Sequence, residues 1–126
     1  MTKVVFFRHD GIFYGFRETG HTGYGEEGSD VLCAALSAMS MLLINSINVV
    51  FDAELDYTVN EGATEIVAQS KSALPEYESD EKKRYAVAGL FMSYYVQLND
   101  LVEEYYDFLQ VDVLDKEYEQ PSQADQ

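Results

Sequence analysis

The chain has 126 residues with a single cysteine and no tryptophan, and its 23 acidic against 8 basic side chains give a formal net charge of −15. That length supports one domain whose core needs no disulfide staples, and 47% hydrophobic residues exclude disorder by composition. Such a charge disfavours direct nucleic acid binding, in which Lys and Arg displace counterions; it either attracts a basic peptide or serves solubility alone. One cysteine forms no internal disulfide, and no charged segment leads into an apolar run at the N-terminus, so a reducing, cytoplasmic setting without membrane attachment is expected.

Residues 3–7 are β-branched and aromatic, His9-Asp10-Gly11 follows, and residues 12–16 are again apolar. Asp-Gly between two such runs signals a tight hairpin, with strands at about 2–8 and 12–19. His9 beside the turn reads as a solvated turn residue, although it is the only other imidazole in the chain.

Residues 20–37 read GHTGYGEEGSDVLCAALS. Half of the eight glycines (Gly20, Gly23, Gly25, Gly28) fall in a loop that runs directly into an apolar helical pattern. A phosphate-cradling loop is rejected, because the glycine spacing fits neither nucleotide motif, no lysine is present, and Glu26 and Glu27 repel phosphate. Glycines at this density suit a flap that opens for a peptide and closes to exclude water; a plain surface loop is the other reading.

Ser29 or Asp30 is the expected N-cap, and the helix runs to about residue 48 with Val31, Ala35, Leu36, Met39, Leu42, Leu43 and Ile47 at helical spacing. Cys33 then falls in the first turn, twelve positions after His21. First-turn amides carry partial positive charge and lack intrahelical partners. Together with a nearby imidazolium they would favour the nucleophilic thiolate and hold an oxyanion. Glu26, Glu27 and Asp30 act against that. Taken alone, a lone cysteine such as Cys33 is commonly an inert small hydrophobe rather than a nucleophile. Asp30 either caps the helix or orients His21, and Ser37, one turn beyond Cys33, suits packing or a hydrogen bond. No metal or cofactor is implied, since one Cys and two separated His lack ligand spacing.

Residues 31–51 carry no charge, a run long enough to span a membrane. Asn45, Ser46 and Asn48 interrupt it, Asp30 and Asp52 flank it, and no Lys or Arg occurs between Arg17 and Lys71. A helix buried on most sides is the better reading. A second hairpin is expected at about 53–60 and 64–70, turning at Gly62, and residues 71–80 with Pro75 form a linker or ordered loop. Ser79-Asp80-Glu81 opens a second helix to about residue 106. Its apolar positions are too wide for one stripe and rich in tyrosine, which suits a half-wet self-association face. Residues 110–114 form a closing strand. The fold class is α+β, a two-layer sandwich in the order β-β-α-β-β-α-β with two helices on a mixed or antiparallel sheet. Residues 1–115 make up the domain, and 116–126 an acidic, disordered tail.

Gly20-His21, Gly23-Tyr24-Gly25, Gly28, Asp30, Cys33-Ala34-Ala35 and Ser37 together resemble the ribosomal-processing cysteine protease family, Prp. The resemblance extends in pattern from residue 1 to about 114. It implies that His21 and Cys33 are a catalytic dyad in a homodimeric cysteine endopeptidase. The implied substrate is the N-terminal extension of a ribosomal large-subunit protein (number twenty-seven), cut after paired phenylalanines. Gly20, Gly23, Tyr24, Gly25 and Gly28 would form the substrate flap, with Tyr24 against those phenylalanines. Two rivals remain from the residues themselves: a non-enzymatic acidic dimeric interaction module, and a thiol redox sensor built on Cys33.

Overall fold

The computed structural model describes residues 1–20, 29–60, 62 and 64–121, with only the backbone of Ser29 and Asp30. Strands β1 (Thr2–His9) and β2 (Ile12–Thr19) form a hairpin. Asp10 and Gly11 both have positive φ (50° and 79°), as a two-residue turn of matching twist requires. Helix α1 (Ser29–Asn45) continues into a π-helical turn, Ser46–Val50. Strands β3 (Asp56–Asn60) and β4 (Glu65–Gln69), a short 3-10 turn (Lys71–Ala73), helix α2 (Glu81–Tyr105) and strand β5 (Leu109–Asp115) complete the order.

The sheet runs β3-β4-β2-β1-β5. β5 is parallel to β1 and every other pairing is antiparallel, so the sheet is mixed. A parallel neighbour needs a crossover, and α2 supplies it, packing on β2 and β5. Arg8 closes the far end of β1 onto β5 with a paired bond to Asp115, at 2.7 and 2.9 Å.

A bulge decides which aromatics face the helices. Phe7 lies opposite Gly15 and Arg8 opposite Phe13, leaving Tyr14 as the extra residue. Phe13 and Phe16 therefore both reach the helical layer. Phe13 stacks on Tyr95 at 4.7 Å, and Phe16 meets Tyr94 at 5.2 Å and Phe91 at 6.2 Å. Tyr14 turns to the opposite face, beside Phe7. Gly15 is required here because a Cβ would lie 2.7 Å from that of Gln69 and 2.9 Å from the Ala68 carbonyl oxygen.

Asp80 caps α2 by accepting from the amides of Lys82 and Lys83, and Val87, Phe91, Tyr94 and Leu98 turn inward. On α1 and its π-helical turn the buried residues are Leu32, Leu36, Ser40, Leu43, Ile44 and Ile47, while Val31, Met41, Leu42, Val49 and Val50 are exposed. The expectation of burial on most sides therefore fails: only 28% of the apolar window is buried, with one stripe on the core and the other in solvent. The first strand of the second hairpin starts at Asp56 rather than 53, because the amide of Ala53 is spent on the Ile47 carbonyl as the helix ends.

The largest departure is at the C-terminus. Residues 116–121 of the expected disordered tail lie back on the sheet face away from the helices, and residues 122–126 lie outside the described residues. The amide of Lys116 bonds to the Arg8 carbonyl, and Gln69 Nε2 donates to the Glu119 carbonyl at 2.9 Å. Tyr14 donates its hydroxyl to the Lys116 carbonyl, and burial pushes that hydroxyl up to about 12. Tyr118 packs on Tyr14 and Tyr77 and donates to Asp56. An aromatic anchor outweighs the acidic composition of its neighbours. Tyr118→Ala should lower the unfolding free energy by about 2 kcal/mol through lost packing and a lost bond to a carboxylate; urea denaturation checks this, and an unchanged midpoint would mean the segment is not docked.

Candidate functional site

The site is built where β2 ends and α1 begins. At the end of β2, Gly20 adopts φ 88°, a left-handed conformation. Its amide donates to the Thr64 carbonyl at 3.3 Å, and its own carbonyl accepts from Thr2 Oγ1 at 3.5 Å. A Cβ on Gly20 would lie 2.3 Å from the Met1 carbonyl oxygen. The root of the loop is thus held between the N-terminal strand and the β3–β4 turn, and the chain leaves it toward His21. His21, Gly23, Tyr24, Gly25 and Gly28 lie outside the described residues.

Across that loop, α1 begins at Ser29. Asp30 follows it in the first turn, and its side chain, with the capping or orienting role expected of it, lies outside the described residues. Cys33 is the fifth helical residue, just past the first turn instead of within it. The amides of the first turn lack carbonyl partners within the helix. Helical side chains lean toward the N-terminus, so the Cys33 side chain is directed back over those amides. Cys33 is a free, partly exposed cysteine, set beside the buried Leu32 and one turn before the exposed Ser37. The carbonyl of Ser37 accepts from the Ser40 hydroxyl at 3.2 Å.

One residue that the sequence reading left without a role stands out. Glu18 is fully buried on the helix-facing side of β2, and Tyr94 of α2 donates its hydroxyl to Glu18 Oε1 at 2.8 Å. Burial and the Glu18 charge push the Tyr94 hydroxyl well above its ordinary range, which keeps it a donor. Strand alternation already puts Glu18 on the face of Phe16, so the signal was present in the spacing.

His9 lies at the hairpin turn, the opposite end of β2 from Gly20, with Nε2 3.3 Å from Asp10 Oδ2. The ligand atoms of His9, Asp10 and Glu76 lie within 4.8 Å of one another, but both carboxylates are exposed.

Comparisons with known proteins agree with this fold. A family model described as cysteine protease Prp matches residues 1–110. Among solved structures, SMU.848 from Streptococcus mutans superposes with a TM-score of 0.74 at 29% identity, covering 92% of this chain and 99% of that one. The essential ribosomal processing protease Prp from S. aureus, in complex with a substrate peptide, gives 0.73 at 19% identity over 90% of this chain and 100% of its own. The same protease with a covalently linked product peptide gives 0.71 at 20% identity with the same coverage. At those identities the two S. aureus structures speak for the fold. No curated protein sequence matches the chain.

The clamp at Gly20 has a measurable consequence. Gly20→Ala should cost about 2 kcal/mol or more, from the left-handed backbone and the clash with Met1. Gly89→Ala, on an open face of α2 where a Cβ meets nothing within 4 Å, should instead stabilise by about 0.5–1 kcal/mol. Urea denaturation of both variants checks the pair, and an unaffected Gly20→Ala protein would contradict the clamp.

Proposed function

We propose, on the premise that this chain belongs to the cysteine protease Prp family, that it is a cysteine endopeptidase with Cys33 as nucleophile and His21 as general base. The observation that carries the reading is the partly exposed Cys33 at the head of α1, with His21 next in sequence to the pinned Gly20.

The steps follow from those groups. The Cys33 sulfur attacks the scissile carbonyl while the imidazole of His21 takes the thiol proton. Amides of the first turn of α1 stabilise the oxyanion. Collapse of the tetrahedral species expels the amine, which receives the proton from His21, and leaves a thioester on Cys33. Water, deprotonated by the same imidazole, then releases the acid.

The substrate is the N-terminal extension of the ribosomal large-subunit protein numbered twenty-seven, cut after paired phenylalanines, with Tyr24 of the flap against those rings. A net charge of −15 steers a basic substrate protein toward the site. The enzyme works in the cytoplasm as a homodimer joined through its helices, a reading supported by the exposed apolar stripe of α1 at Val31, Met41 and Leu42. Asp30 assists either by charge at the first turn or by orienting His21.

Mixing the protein with a peptide carrying the paired phenylalanines and following it by mass spectrometry tests this directly. Cys33→Ser and His21→Ala should each reduce turnover on the order of a thousandfold or more with unchanged circular dichroism. Wild-type rates in both variants would exclude the dyad.

A further inference from the structure

Residues 116–121 form a strap across the outer face of the sheet, and the strap grips the sheet's weakest margin. Leaving β5, it bonds β1 through the Lys116 amide and the Arg8 carbonyl, and β2 through the Tyr14 hydroxyl and the Lys116 carbonyl. It then bonds β4 through Gln69 and the Glu119 carbonyl, and β3 through Tyr118 and Asp56. The family match stops at residue 110, so the strap lies beyond it. The β3–β4 hairpin has little of its own to hold it closed. β3 is an edge strand with no fully buried residue, and only Ala68 and Gln69 of β4 are buried. β4 pairs with β2 on its other side. Ala68 and Gln69 lie at the open base of the hairpin, where Asp56 faces Gln69. The strap converges on that pair: Asp56 accepts from Tyr118, and Gln69 donates both to Asp56 at 3.4 Å and to the Glu119 carbonyl at 2.9 Å. At the other end of the hairpin Thr64 has φ 48°, a left-handed conformation that a β-branched residue keeps only when its surroundings impose it. The Thr64 carbonyl accepts from the amide of Gly20. Five-residue strands with a strained turn open easily, so the fastening at their base sets how well that bond is kept.

We infer that the strap is a positioning element for the candidate site. Docked Tyr118 fastens the base of the β3–β4 hairpin, which keeps the Thr64 carbonyl on Gly20 and so fixes the strand end that precedes His21 in the sequence. The inference rests on the protease reading for its purpose, but its first readout does not depend on cleavage.

Hydrogen exchange of the full chain, followed amide by amide by NMR, tests it. Tyr118→Ala should speed exchange at the Lys116 amide, which reports release of the strap. It should also speed exchange at the Gly20 amide by about fivefold or more. Tyr118→Phe keeps the ring on Tyr14 and Tyr77 but loses the bond to Asp56, and should give a smaller change at both. Val87→Ala, in the buried face of α2, lowers stability away from the strap; it should speed the amides that exchange by global opening and leave Gly20 near its wild-type rate. A Gly20 rate that stays put while the Lys116 rate rises would overturn the inference. Equal acceleration of Gly20 by Val87→Ala would overturn it as well, since the effect would then be general loss of stability. In an active enzyme, kcat/KM should fall in Tyr118→Ala and largely recover in Tyr118→Phe, and an unchanged kcat/KM despite faster Gly20 exchange would contradict the positioning role. Absence of cleavage in the wild type with the exchange pattern intact would refute the protease reading and leave the strap's hold on Gly20 standing.

Discussion

Contacts on three sides hold Gly20: a bond to the Thr64 carbonyl, one from the Thr2 hydroxyl, and the Met1 carbonyl packed against its Cα. They fasten the end of a central strand to the chain's first residues and to the turn between β3 and β4. A loop that brings an imidazole to a sulfur needs a fixed point of departure, since closure of an unanchored loop adds entropy to every encounter. The helix beginning at Ser29 supplies the other fixed point. In the sequence, residues 21–28 with His21 connect these two fixed points.

Those anchors are only as stiff as the layer beneath them. Phe6, Phe16, Phe91 and Tyr94 interlock under the end of β2, and the bulge at Tyr14 allows Phe13 to join them from the far half of the strand. The same bulge sends Tyr14 to the opposite face, where it becomes the floor on which Tyr118 rests. One irregularity in β2 thus organises both faces of the sheet. Among the described residues nothing gives the outer stripe of α1 such cover, and its apolar side chains stand exposed.

Much of this was legible in the letters. Asp10-Gly11 between apolar runs specified the first hairpin, and Asp80 ahead of a periodic segment marked the start of α2. The grouping of Gly20, His21 and Cys33 pointed to the family. What could not be read depends on tertiary contact. An apolar helix has the same sequence whether one side or both are covered, so the exposure of Met41 and Leu42 was hidden. Tyr118 looks like part of an acidic tail until Tyr14, Tyr77 and Asp56 are known to lie beneath it. Helix α1 starts one residue earlier than capping preferences suggest, which moves Cys33 past the first turn. Alternation along β2 is enough to put Glu18 on the inward face, but it was not read there, and a period says where a side chain points and not what it meets.

The central claim is that the sulfur of Cys33 takes part covalently in peptide cleavage. Acid quenching during turnover, followed by intact-mass and fragment-mass measurement, tests it most directly. The account predicts a transient thioester joining the N-terminal product to Cys33, present in the wild type and missing when His21 is replaced by alanine. Cleavage that proceeds with no adduct on Cys33, or with the adduct on another residue, would contradict it.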